Sequence, residues 1–550
     1  MTGVTEPLAV AVNGHEAPFA EGVATVGDLE VEVRSADVDG GRRLDLTVRN
    51  PGRRAVGLRD VVVRLAARPE RVLEHGHQGA SVVRRCAAGD VRPERVSLPA
   101  WVRATYFTRP EAAGRVVSGD QFLLTDSGVA GFLDARRHLG TVEADPAGLL
   151  VRALFDGVAV EPGAERVVEP VWLADGDPGA RYTDFASLWG LTAGARITSP
   201  SPMGWSGRHQ YAGDLTPEDV RVNLKVAADR GLEVVQIDGY QAALGDWLTG
   251  RSAWGDGAAA VAAEIRAVEL RAGLCTSPFE AADDSEVLRR HPEWALVGTG
   301  DPAGSWWALD TTRPDVLDHL RHTFATLTEQ GFDYHRLGGC VAAALPARRH
   351  DPTRTRAEAL RAGLDAVREG IGDRGLMLAA DCPLGPAVGV VDTLAVGPEV
   401  APWWAPVADH GWPGLAESTP AVVNAVAAAV LRSPLHRRLF VNDPGCLLLR
   451  PTDTGLEARQ RSLLATVITG TGAFTVVSDD LGRYTELEWA LLEALRSVHT
   501  VVDTLLEVED PFADPVVVRS AAGTRLSVDW RAGAPGGAVA ELSAVEDDPL

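Results

Sequence analysis

The sequence predicts a multidomain α/β protein in which a (β/α)8 TIM barrel is flanked by an N-terminal β-sandwich and a small C-terminal β domain. Two observations carry this prediction. Up to about residue 175, apolar and polar residues alternate between turn-forming residues, which is typical of antiparallel sheets. Short apolar runs then alternate with helix-forming stretches over about 300 residues, which is typical of a (β/α)8 barrel.

The domain boundaries follow from changes in this rhythm. We place the β-sandwich at residues 1–195, the barrel at 196–503 and the C-terminal β domain at 504–550. The sandwich contains alternating segments such as LEVEVRSADV and RRLDLTVRN. The barrel begins at the Pro/Ser-rich joint ITSPSPMGW, and the C-terminal domain returns to the β-type segments PVVVRSAA and RLSVDWRAG.

Eight apolar runs are the candidate barrel strands. They are MGWSGRHQY, LEVVQIDGY, RAGLCTSPF, FDYHRLGG, LMLAADCPL, VDTLAVGPE, RRLFVNDPG and GAFTVVSDD. The predicted helices between them include TPEDVRVNLKVAADRG, DVLDHLRHTFATLTEQG and RAEALRAGLDAVREGIG. Many of these helices begin after Thr, Ser or Asp and end at Gly, as capped helices do.

Composition excludes several classes of function. The chain has 550 residues and a formal net charge of −23, and a surface this acidic repels phosphate backbones and anionic lipids. Lys225 is the only lysine and lies in a predicted surface helix, which argues against Schiff-base chemistry. We therefore expect a small molecule as the ligand or substrate, and neither nucleic acid nor a membrane as a partner.

The cysteines and histidines predict neither a disulfide framework nor a metal site. The cysteines are odd in number, widely spaced and without a CxxC pair, and the histidines lack ligand spacing. A secretory signal has a positively charged segment followed by an apolar one, and the N-terminus shows neither. We expect a cytoplasmic protein without a cofactor, and the sequence leaves homo-oligomerisation open.

Carboxylates concentrate where the predicted barrel strands end. In (β/α)8 barrels the chemistry is located at the carboxyl ends of the strands. For any one of these side chains, a helix cap or a loop charge is an equally good interpretation, but together they predict a polar pocket that transfers protons or binds hydroxyl groups. In chain order the strand ends carry Asp238, Glu280, the Gly338-Gly339-Cys340 turn, Asp381 with Cys382, Glu399, Asn442 with Asp443, and Asp479 with Asp480.

Taken together, the motifs resemble the α-galactosidases of the melibiase type, glycoside hydrolase family 36. The resemblance extends over most of the chain and keeps the order of the motifs. It rests on RVLEHGHQ, GDLTPEDV, VVQIDGYQAALGDWL, WALDTTRPDVLDHLRHTF, ALPARRHDPTRTRAEALR, VGPEVAPWW, LHRRLFVNDPGCLLLRPTD and VVSDDL. It implies a β-sandwich, a catalytic barrel and a C-terminal β domain, and a retaining mechanism with two carboxylates.

The catalytic positions implied by the resemblance are altered. The family nucleophile stands in a Lys-x-Asp pattern that ends the fourth strand, and here the pattern is Arg336-Leu337-Gly338. The family acid/base stands in Arg-x-Gly-Pro-Asp, and here the last residue is Glu399 while the arginine is replaced by Ala395. The attacking oxygen is therefore absent, and the remaining acid is longer by one methylene.

The sugar-binding positions implied by the resemblance are altered as well. A pair of aspartates after the second strand is reduced to Asp238, and a tryptophan of the first strand is replaced by Arg208. The tryptophan of the third strand is Cys275, and a Ser-Trp pair in a β-domain loop is Gly79-Ala80. The loss of three indoles removes large apolar contact areas for a sugar ring, so we expect no efficient galactoside hydrolysis.

We therefore expect a repurposed pocket that performs general acid/base chemistry such as cyclisation, dehydration or isomerisation on a bulky small molecule. One alternative is a non-catalytic carbohydrate-binding or structural protein, and another is a residual glycoside hydrolase with an altered mechanism. The candidate catalytic residues are Glu399, Asp381 and Asp238. The candidate substrate-binding residues are Arg336, His335, Cys340, Glu280, Cys275, Arg208, Trp307, Asn442 and Asp443.

Overall fold

The structure is a computed structural model that describes residues 7–197, 201–255, 257–299, 305–530 and 539–544. Residues 198–200 of the predicted Pro/Ser-rich joint lie outside these described residues, as do both ends of the chain.

The N-terminal part of the chain forms a single sheet of 14 strands. The strands are β1 (Pro7–Val12), β2 (His15–Ala17), β3 (Val23–Val26), β4 (Leu29–Val38), β5 (Gly41–Arg49), β6 (Val56–Leu65), β7 (Arg71–His75), β8 (Val83–Ala87), β9 (Val117–Asp120), β10 (Phe122–Thr125), β11 (Gly128–Phe132), β12 (Leu139–Asp145), β13 (Gly148–Val160) and β14 (Glu165–Asp175). Their order in the sheet is β2-β1-β6-β13-β12-β9-β7-β10-β11-β14-β5-β4-β3, and β8 pairs with β7. The described strand pairs are antiparallel except for the β7–β9 pair.

This long sheet folds back on itself, as predicted for a sandwich. Val63 of β6 and Val151 of β13 share one buried cluster with Val31 of β4 and Leu46 of β5, although these strands lie in opposite halves of the sheet. Alternating apolar residues bury one face of each strand in this way. The other face, including Trp172, belongs to a second cluster that continues into the barrel.

Two helices of the N-terminal part pack between its sheet and the barrel. They are α1 (Ala100–Tyr106) and α2 (Pro178–Ala193). Apolar residues at helical spacing on α2, including Phe185 and Trp189, are fully buried, and the Phe185 ring lies 5.0 Å from the ring of Phe122 in β10. The N-terminal sheet is therefore packed on the barrel through α2.

Nine parallel strands of the described residues form the barrel sheet, and each of the eight predicted apolar runs contains one of them. The strands of this part are β15 (Met203–Ser206), β16 (Val234–Ile237), β17 (Arg271–Thr276), β18 (Glu280–Ala281), β19 (Trp307–Ala308), β20 (Tyr334–Leu337), β21 (Leu376–Ala379), β22 (Thr393–Ala395), β23 (Val441–Asp443), β24 (Cys446–Leu447) and β25 (Thr475–Val477). The barrel sheet has the order β23-β22-β21-β20-β17-β16-β15-β25-β24. The N–H of Phe474, next to β25, donates to the Asn442 carbonyl of β23 at 2.9 Å, which links β23 to the β25 side of the sheet. Strands β18 and β19 form a separate hairpin.

A helix lies between successive barrel strands, except between β23 and β24, in keeping with the (β/α)8 pattern. Three helices begin with threonine capping boxes, at Thr216, Thr355 and Thr485, which confirms that these helices begin after Thr. The helices are α3 (Arg208–Tyr211), α4 (Pro217–Asp229), α5 (Ala258–Ala267), α6 (Glu286–Arg290), α7 (Pro314–Glu329), α8 (Arg356–Ile371), α9 (Leu384–Ala387), α10 (Val422–Leu431), α11 (Ala458–Gly470) and α12 (Glu486–Val502).

A small antiparallel sheet ends the chain. Its four strands are β26 (Leu506–Val508), β27 (Val516–Ser520), β28 (Thr524–Asp529) and β29 (Val539–Ala544). Leu526 of β28 packs in the same cluster as the barrel helices. None of the described helices is long and apolar enough to cross a lipid bilayer. The architecture of two β parts around a barrel is confirmed, while the residue limits of the three domains stay predictions.

Candidate active site

The period of two along each barrel strand decides which side chains point towards the barrel axis. In β20, Tyr334 lies in the barrel interior with Val476 and Leu378, whereas Leu337 packs among the outer helices. Arg336 shares the face of Tyr334 and extends it to the carboxyl end of the strand. The residues that alternate with these, His335 among them, therefore face the helices.

Glu399 is the centre of an ion-pair cluster at the carboxyl ends of the strands. The Arg336 Nη2–H donates to Glu399 Oε1 at 2.7 Å, and Arg208 Nη2 lies 3.1 Å from the same oxygen. His209 Nε2 lies 3.5 Å from the other oxygen. The side chain of Arg336 is 7% exposed, that of Glu399 25% and that of Arg208 37%, so the cluster extends from the barrel interior to solvent.

The two arginines keep Glu399 ionised. Burial by itself raises the pKa of this carboxyl, but the charges of Arg208 and Arg336 outweigh burial and hold the pKa well below its usual range. Two arginines thus support this carboxyl, Arg336 of β20 and Arg208 at the start of α3. A carboxylate in this state is a weak proton acceptor and a very poor proton donor at neutral pH.

Asp238 ends a chain of hydrogen bonds that runs up the barrel interior. The Tyr334 hydroxyl donates to Gln236 Oε1 at 2.8 Å, and Gln236 Nε2–H donates to Asp238 Oδ1 at 2.8 Å. The Ser206 hydroxyl donates to Asp238 Oδ2 at 2.9 Å. Both carboxylate oxygens are therefore held by neutral donors, which fixes the orientation of Asp238.

Glu280 and Asp381 form a second acidic group, at the carboxyl end of β20, the fourth barrel strand. The Glu280 carboxyl lies so close to the Gly339 Cα that a Cβ at position 339 would come within 2.4 Å of Glu280 Oε2. Gly339 also adopts a left-handed conformation with φ of 58°, which glycine tolerates best. Its backbone N–H faces Asp381 Oδ2 at 3.4 Å. The glycine turn thus makes room for the Glu280 carboxyl beside Asp381.

Asp381 is itself held in an unusual backbone conformation. Its φ is 48°, in the left-handed region that few residues other than glycine, asparagine and aspartate occupy. The Val341 N–H donates to the Asp381 carbonyl at 2.7 Å, which anchors this turn to the segment after β20. Residues in sparsely populated conformations are concentrated at functional sites.

The pKa values in this group are shifted upwards. Burial and the neighbouring charge of Asp381 raise the pKa of Glu280 to about 8. Burial, followed by the charge of Glu399, raises the pKa of Asp381. Burial also raises the pKa of Asp443 to about 6, although Arg336 opposes the shift. At pH 7 the Glu280 carboxyl therefore keeps its proton beside a second acidic group, an arrangement suited to proton transfer.

Gly338 is connected to this acid through Ser277. A Cβ at Gly338 would lie 3.3 Å from Ser277 Oγ and 3.6 Å from the Thr276 carbonyl oxygen, and a hydrogen bond from Ser277 supports the Glu280 carboxyl. Ser277, which follows the third barrel strand β17, thus contacts both the Gly338 position and the Glu280 carboxyl. Cys275, on the third strand, lies 3.8 Å from Arg336 Nη1, and burial raises the pKa of its thiol.

The side chains of four residues predicted to bind substrate contact groups outside the two carboxylate clusters. His335 packs against Phe324 of α7, and burial lowers its pKa to about 3. The Cys340 thiol is fully buried and donates to the Leu337 carbonyl at 3.5 Å. Asn442 donates to the Arg432 carbonyl at 3.0 Å on the helix side of β23. Trp307 lies on the β18–β19 hairpin, where its indole N–H donates to Asp283.

Tyr106 is a neighbour of the acidic group that the sequence did not reveal. It ends α1 of the N-terminal part, and burial together with the charge of Asp381 raises its pKa to about 12, so the phenol keeps its proton. A cavity of about 350 Å³ adjoins Tyr106, between α1 and the connection from β22 to α10. Its other lining residues are Asp409, His410, Gly411, Trp412, Leu415, Ser418, Thr419 and Pro420.

The loop from the N-terminal sheet reaches the barrel at Gly79. The Gly79 N–H donates to the Cys382 carbonyl at 3.2 Å, next to Asp381. Arg432 Nη1–H donates to the carbonyls of both Gly79 and Val396, at 2.7 and 2.6 Å, which ties the loop to the strand that leads to Glu399. The loop therefore forms part of the wall of the site.

We expect the substitution Gly79→Ala to destabilise the protein by about 1–3 kcal/mol, because overpacking a tight contact has a cost of this order. An alanine Cβ at this position would lie 1.9 Å from the Ala395 carbonyl oxygen. The control is Gly89→Ala, since nothing lies within 4 Å of a Cβ there. Urea denaturation measures both, and equal free energies of unfolding for the two variants would contradict the close contact.

Metal ligation is not evident at the site. In the parts of the chain that the structure describes, no group of three or more His, Cys, Asp or Glu side chains is arranged to hold a metal ion.

The barrel, with its carboxylates at the carboxyl ends of the strands, is similar in architecture to glycoside hydrolases. In particular, the chain resembles the α-galactosidases of glycoside hydrolase family 36. The melibiase family model matches residues 216–342, from α4 to the turn after β20. The α-galactosidase AgaA of Geobacillus stearothermophilus is 29% identical over 158 residues, and an α-galactosidase of Escherichia coli is 30% identical over 98 residues. These matches cover 26% and 17% of this chain, and only 22% and 14% of the two relatives.

Solved structures extend the likeness to nearly the whole fold. The α-galactosidase TtGalA from Thermus thermophilus superposes with a TM-score of 0.73 at 22% identity, covering 94% of this chain and 98% of that one. The structure of AgaA from Geobacillus stearothermophilus gives a TM-score of 0.63 at 14% identity, covering 96% and 79%. At these identities the likeness shows the fold, and it confirms the predicted multidomain architecture.

Proposed function

We propose that this protein is a repurposed glycosidase-type enzyme that performs general acid/base chemistry on a bulky small molecule and does not hydrolyse galactosides efficiently. The observation that carries the proposal is the pair of Glu280 and Asp381 at the Gly338-Gly339 turn. Both carboxyl groups lie against Gly339, the residue after Gly338, and burial beside Asp381 favours the protonated form of Glu280. Glu280 is the proton donor, Asp381 is the proton acceptor, and the transformation is a cyclisation, dehydration or isomerisation.

The structure of the Glu399 cluster supports this division of roles. Glu399, a candidate acid/base by sequence, is neutralised by Arg336 and Arg208 and does not hold a proton at neutral pH. Its place in the proposal is electrostatic, because a fixed ion pair can orient a polar substrate without reacting. Tyr106 adds a protonated phenol on the side of Asp381, and the adjoining cavity has room for a group larger than a water molecule.

Solvent-derived deuterium tests the proposal. The protein is incubated in D2O with a panel of small polyhydroxylated and cyclic metabolites, and mass spectrometry detects carbon-bound deuterium or loss of water. We expect Asp381→Asn to lower the rate for a responsive compound by about 100-fold or more, which is the usual contribution of a general base. Asparagine also tolerates the left-handed backbone at this position.

The control for this experiment is Asp409→Asn. Asp409 lines the 350 Å³ cavity but is not assigned a role in proton transfer. The proposal is wrong if the two variants convert the responsive compound at the same rate as the unmodified protein. The proposal is equally wrong if a compound of the panel binds tightly but no compound gains carbon-bound deuterium or loses water.

Hydrolysis of p-nitrophenyl α-D-galactopyranoside is expected to stay within a few-fold of the rate without protein. The reason is that Gly338 offers no nucleophile, and loss of a covalent nucleophile lowers turnover by several orders of magnitude. The Thermus thermophilus enzyme, whose structure is known with this compound, is the positive control. Release of p-nitrophenol at a rate comparable with the positive control would overturn this part of the proposal.

A non-catalytic carbohydrate-binding protein is the second candidate function. The observation that favours it is the double ion pair of Glu399, which places a rigid polar surface at the ends of the strands. Stachyose is a suitable probe, since the Thermus thermophilus relative is known in complex with it. A rise of the unfolding temperature with stachyose, without conversion of any compound in D2O, would favour the binding function over the enzyme.

A further inference from the structure

A second cavity lies between the N-terminal sheet and the barrel, outside the two carboxylate groups described above. Its volume is about 830 Å³, which is in the range of small-molecule binding sites. One wall is formed by α1 and β13, and the other by the segment 346–356 that leads from β20 into α8. Trp101, Leu154 and Val158 make part of the lining apolar.

The charge of this cavity is opposite to that of the chain. Seven arginines line it, against the two carboxylates Glu111 and Asp156, in a protein with a net charge of −23. Asp156 is already occupied, because Arg356 Nε–H donates to it at 2.8 Å. Glu111 is occupied as well, because Arg109 Nε–H donates to it at 2.9 Å.

Several of the lining arginines lack a counter-charge. Arg349 is 7% exposed, and its Nη2–H groups donate to the carbonyls of Ala343 and Leu345 at 2.8 and 3.0 Å. Among the described residues its Nη1 has no hydrogen-bond partner, and burial lowers the pKa of the guanidinium to about 10. Arg103, which is half-buried, and Arg348, which is exposed, have no ion pair among the described residues. For the buried Arg349, a guanidinium N–H without a partner is costly unless a ligand accepts a hydrogen bond from it.

A cavity at the other end of the barrel provides an internal comparison. It has a volume of about 880 Å³ and includes Arg266, Arg271 and Arg374. Five carboxylates line the same cavity, so its arginines are balanced. The five are Glu233, Glu269, Asp333, Asp373 and Asp392. The excess of arginine over carboxylate is therefore particular to the cavity beside α1 and is not a general property of the surface.

We propose that the cavity between α1, β13 and the segment 346–356 binds a small molecule that carries a phosphate or sulfate group on a ring-containing body. Guanidinium groups bind such oxyanions through paired, charge-assisted hydrogen bonds. The apolar side of the cavity, with Trp101, contacts the body of the ligand. This inference goes beyond the proposed acid/base chemistry, and neither depends on the other.

Isothermal titration calorimetry with matched probes tests the proposal on the full-length protein. The probes are p-nitrophenyl phosphate, p-nitrophenyl sulfate, inorganic phosphate and the neutral p-nitrophenyl α-D-galactopyranoside. We expect one of the two aryl anions to bind at least tenfold more tightly than inorganic phosphate, with an affinity that falls as the salt concentration rises. Binding of inorganic phosphate alone, or of no anion, would overturn the proposal.

Substitutions then locate the binding site. We expect Arg103→Gln and Arg348→Gln each to weaken binding of the aryl anion about tenfold, since each removes one unpaired guanidinium from the wall. Arg374→Gln in the balanced cavity is the matched control and should leave the affinity unchanged. An equal loss in Arg374→Gln, or no loss in the other two variants, would show that the anion binds elsewhere and would overturn the proposal.

Discussion

The substitution Glu280→Gln is expected to stabilise the protein at pH 9 and to change its stability little at pH 4. In the unfolded chain the pKa of a glutamate is about 4.3, whereas burial beside Asp381 raises the pKa of folded Glu280 to about 8. The contribution of the protonated carboxyl to stability is complete below the unfolded pKa and is lost as the pH rises through 8. Glutamine keeps the shape and cannot ionise, so it avoids this loss.

The size of the effect is a few kcal/mol, because one pKa unit corresponds to about 1.4 kcal/mol and solvent near the site weakens the shift. Urea denaturation at pH 4, 7 and 9 measures the difference between the variant and the unmodified protein. Glu286→Gln is the control, since Glu286 is an exposed partner of Arg289 and Arg290 on α6. A difference that does not grow with pH would show that Glu280 ionises normally.

The same substitution tests the role of Glu280 as the proposed acid. We expect Glu280→Gln to lower the rate of a responsive reaction by about 100-fold, because glutamine donates a hydrogen bond but transfers no proton. The alkaline limb of the pH–rate profile, which falls as Glu280 loses its proton near pH 8, should disappear from the residual activity. If the rate of the variant still falls near pH 8, a group other than Glu280 causes the fall.

The barrel could be predicted because its signals are local. Apolar runs of strand length, threonine caps and glycine stops all act within a few residues, and every predicted strand run contains a barrel strand. The N-terminal part was predictable as β structure for the same reason. Its arrangement as one sheet of 14 strands was not, since strand order depends on pairings between distant residues such as those of β7 and β9.

The sequence predicts a ring of carboxylates at the site but does not predict which of them are protonated. Glu399 lies 63 positions along the chain from Arg336 and about three times as far from Arg208, and no local pattern indicates that both contact it. The state of Glu280 depends on the space beside Gly339 and on Asp381, which belong to two other strands. Ionisation depends on neighbours in space, which a single sequence does not give.

Strand alternation would have improved part of the site prediction. His335 and Arg336 are consecutive residues of one strand, so only one of them can face the barrel axis. The same argument separates Asn442 from Asp443 in β23, where the structure places Asn442 on the helix side. Tyr106 left no such signal, because its position next to Asp381 results from the packing of the N-terminal part on the barrel.

The substitution Glu399→Gln is expected to lower the free energy of unfolding by about 2–4 kcal/mol at pH 7. It leaves the 7% exposed Arg336 without its counter-ion, with Arg208 close to it, and removal of one partner of a buried pair is costly. Arg336→Gln should have a smaller effect, because Glu399 keeps Arg208. The double variant should lose less than the sum, because only the more exposed Arg208 then lacks its partner. Urea denaturation of all four proteins gives the coupling free energy.

The pH dependence of Glu399→Gln should be the reverse of that of Glu280→Gln. Arg208 and Arg336 hold the folded pKa of Glu399 below the unfolded value, so its contribution to stability is present above the unfolded pKa and is lost as the pH falls through the folded one. Glu399→Gln should therefore lower the free energy of unfolding less at acid pH than at pH 7. The decrease caused by Gly79→Ala should be the same at both pH values. The stability effects of these two glutamates would then have opposite pH dependences, because Glu399 faces arginines and Glu280 faces an aspartate. A loss that persists unchanged at the lowest pH at which the protein is folded would contradict the ion pairs.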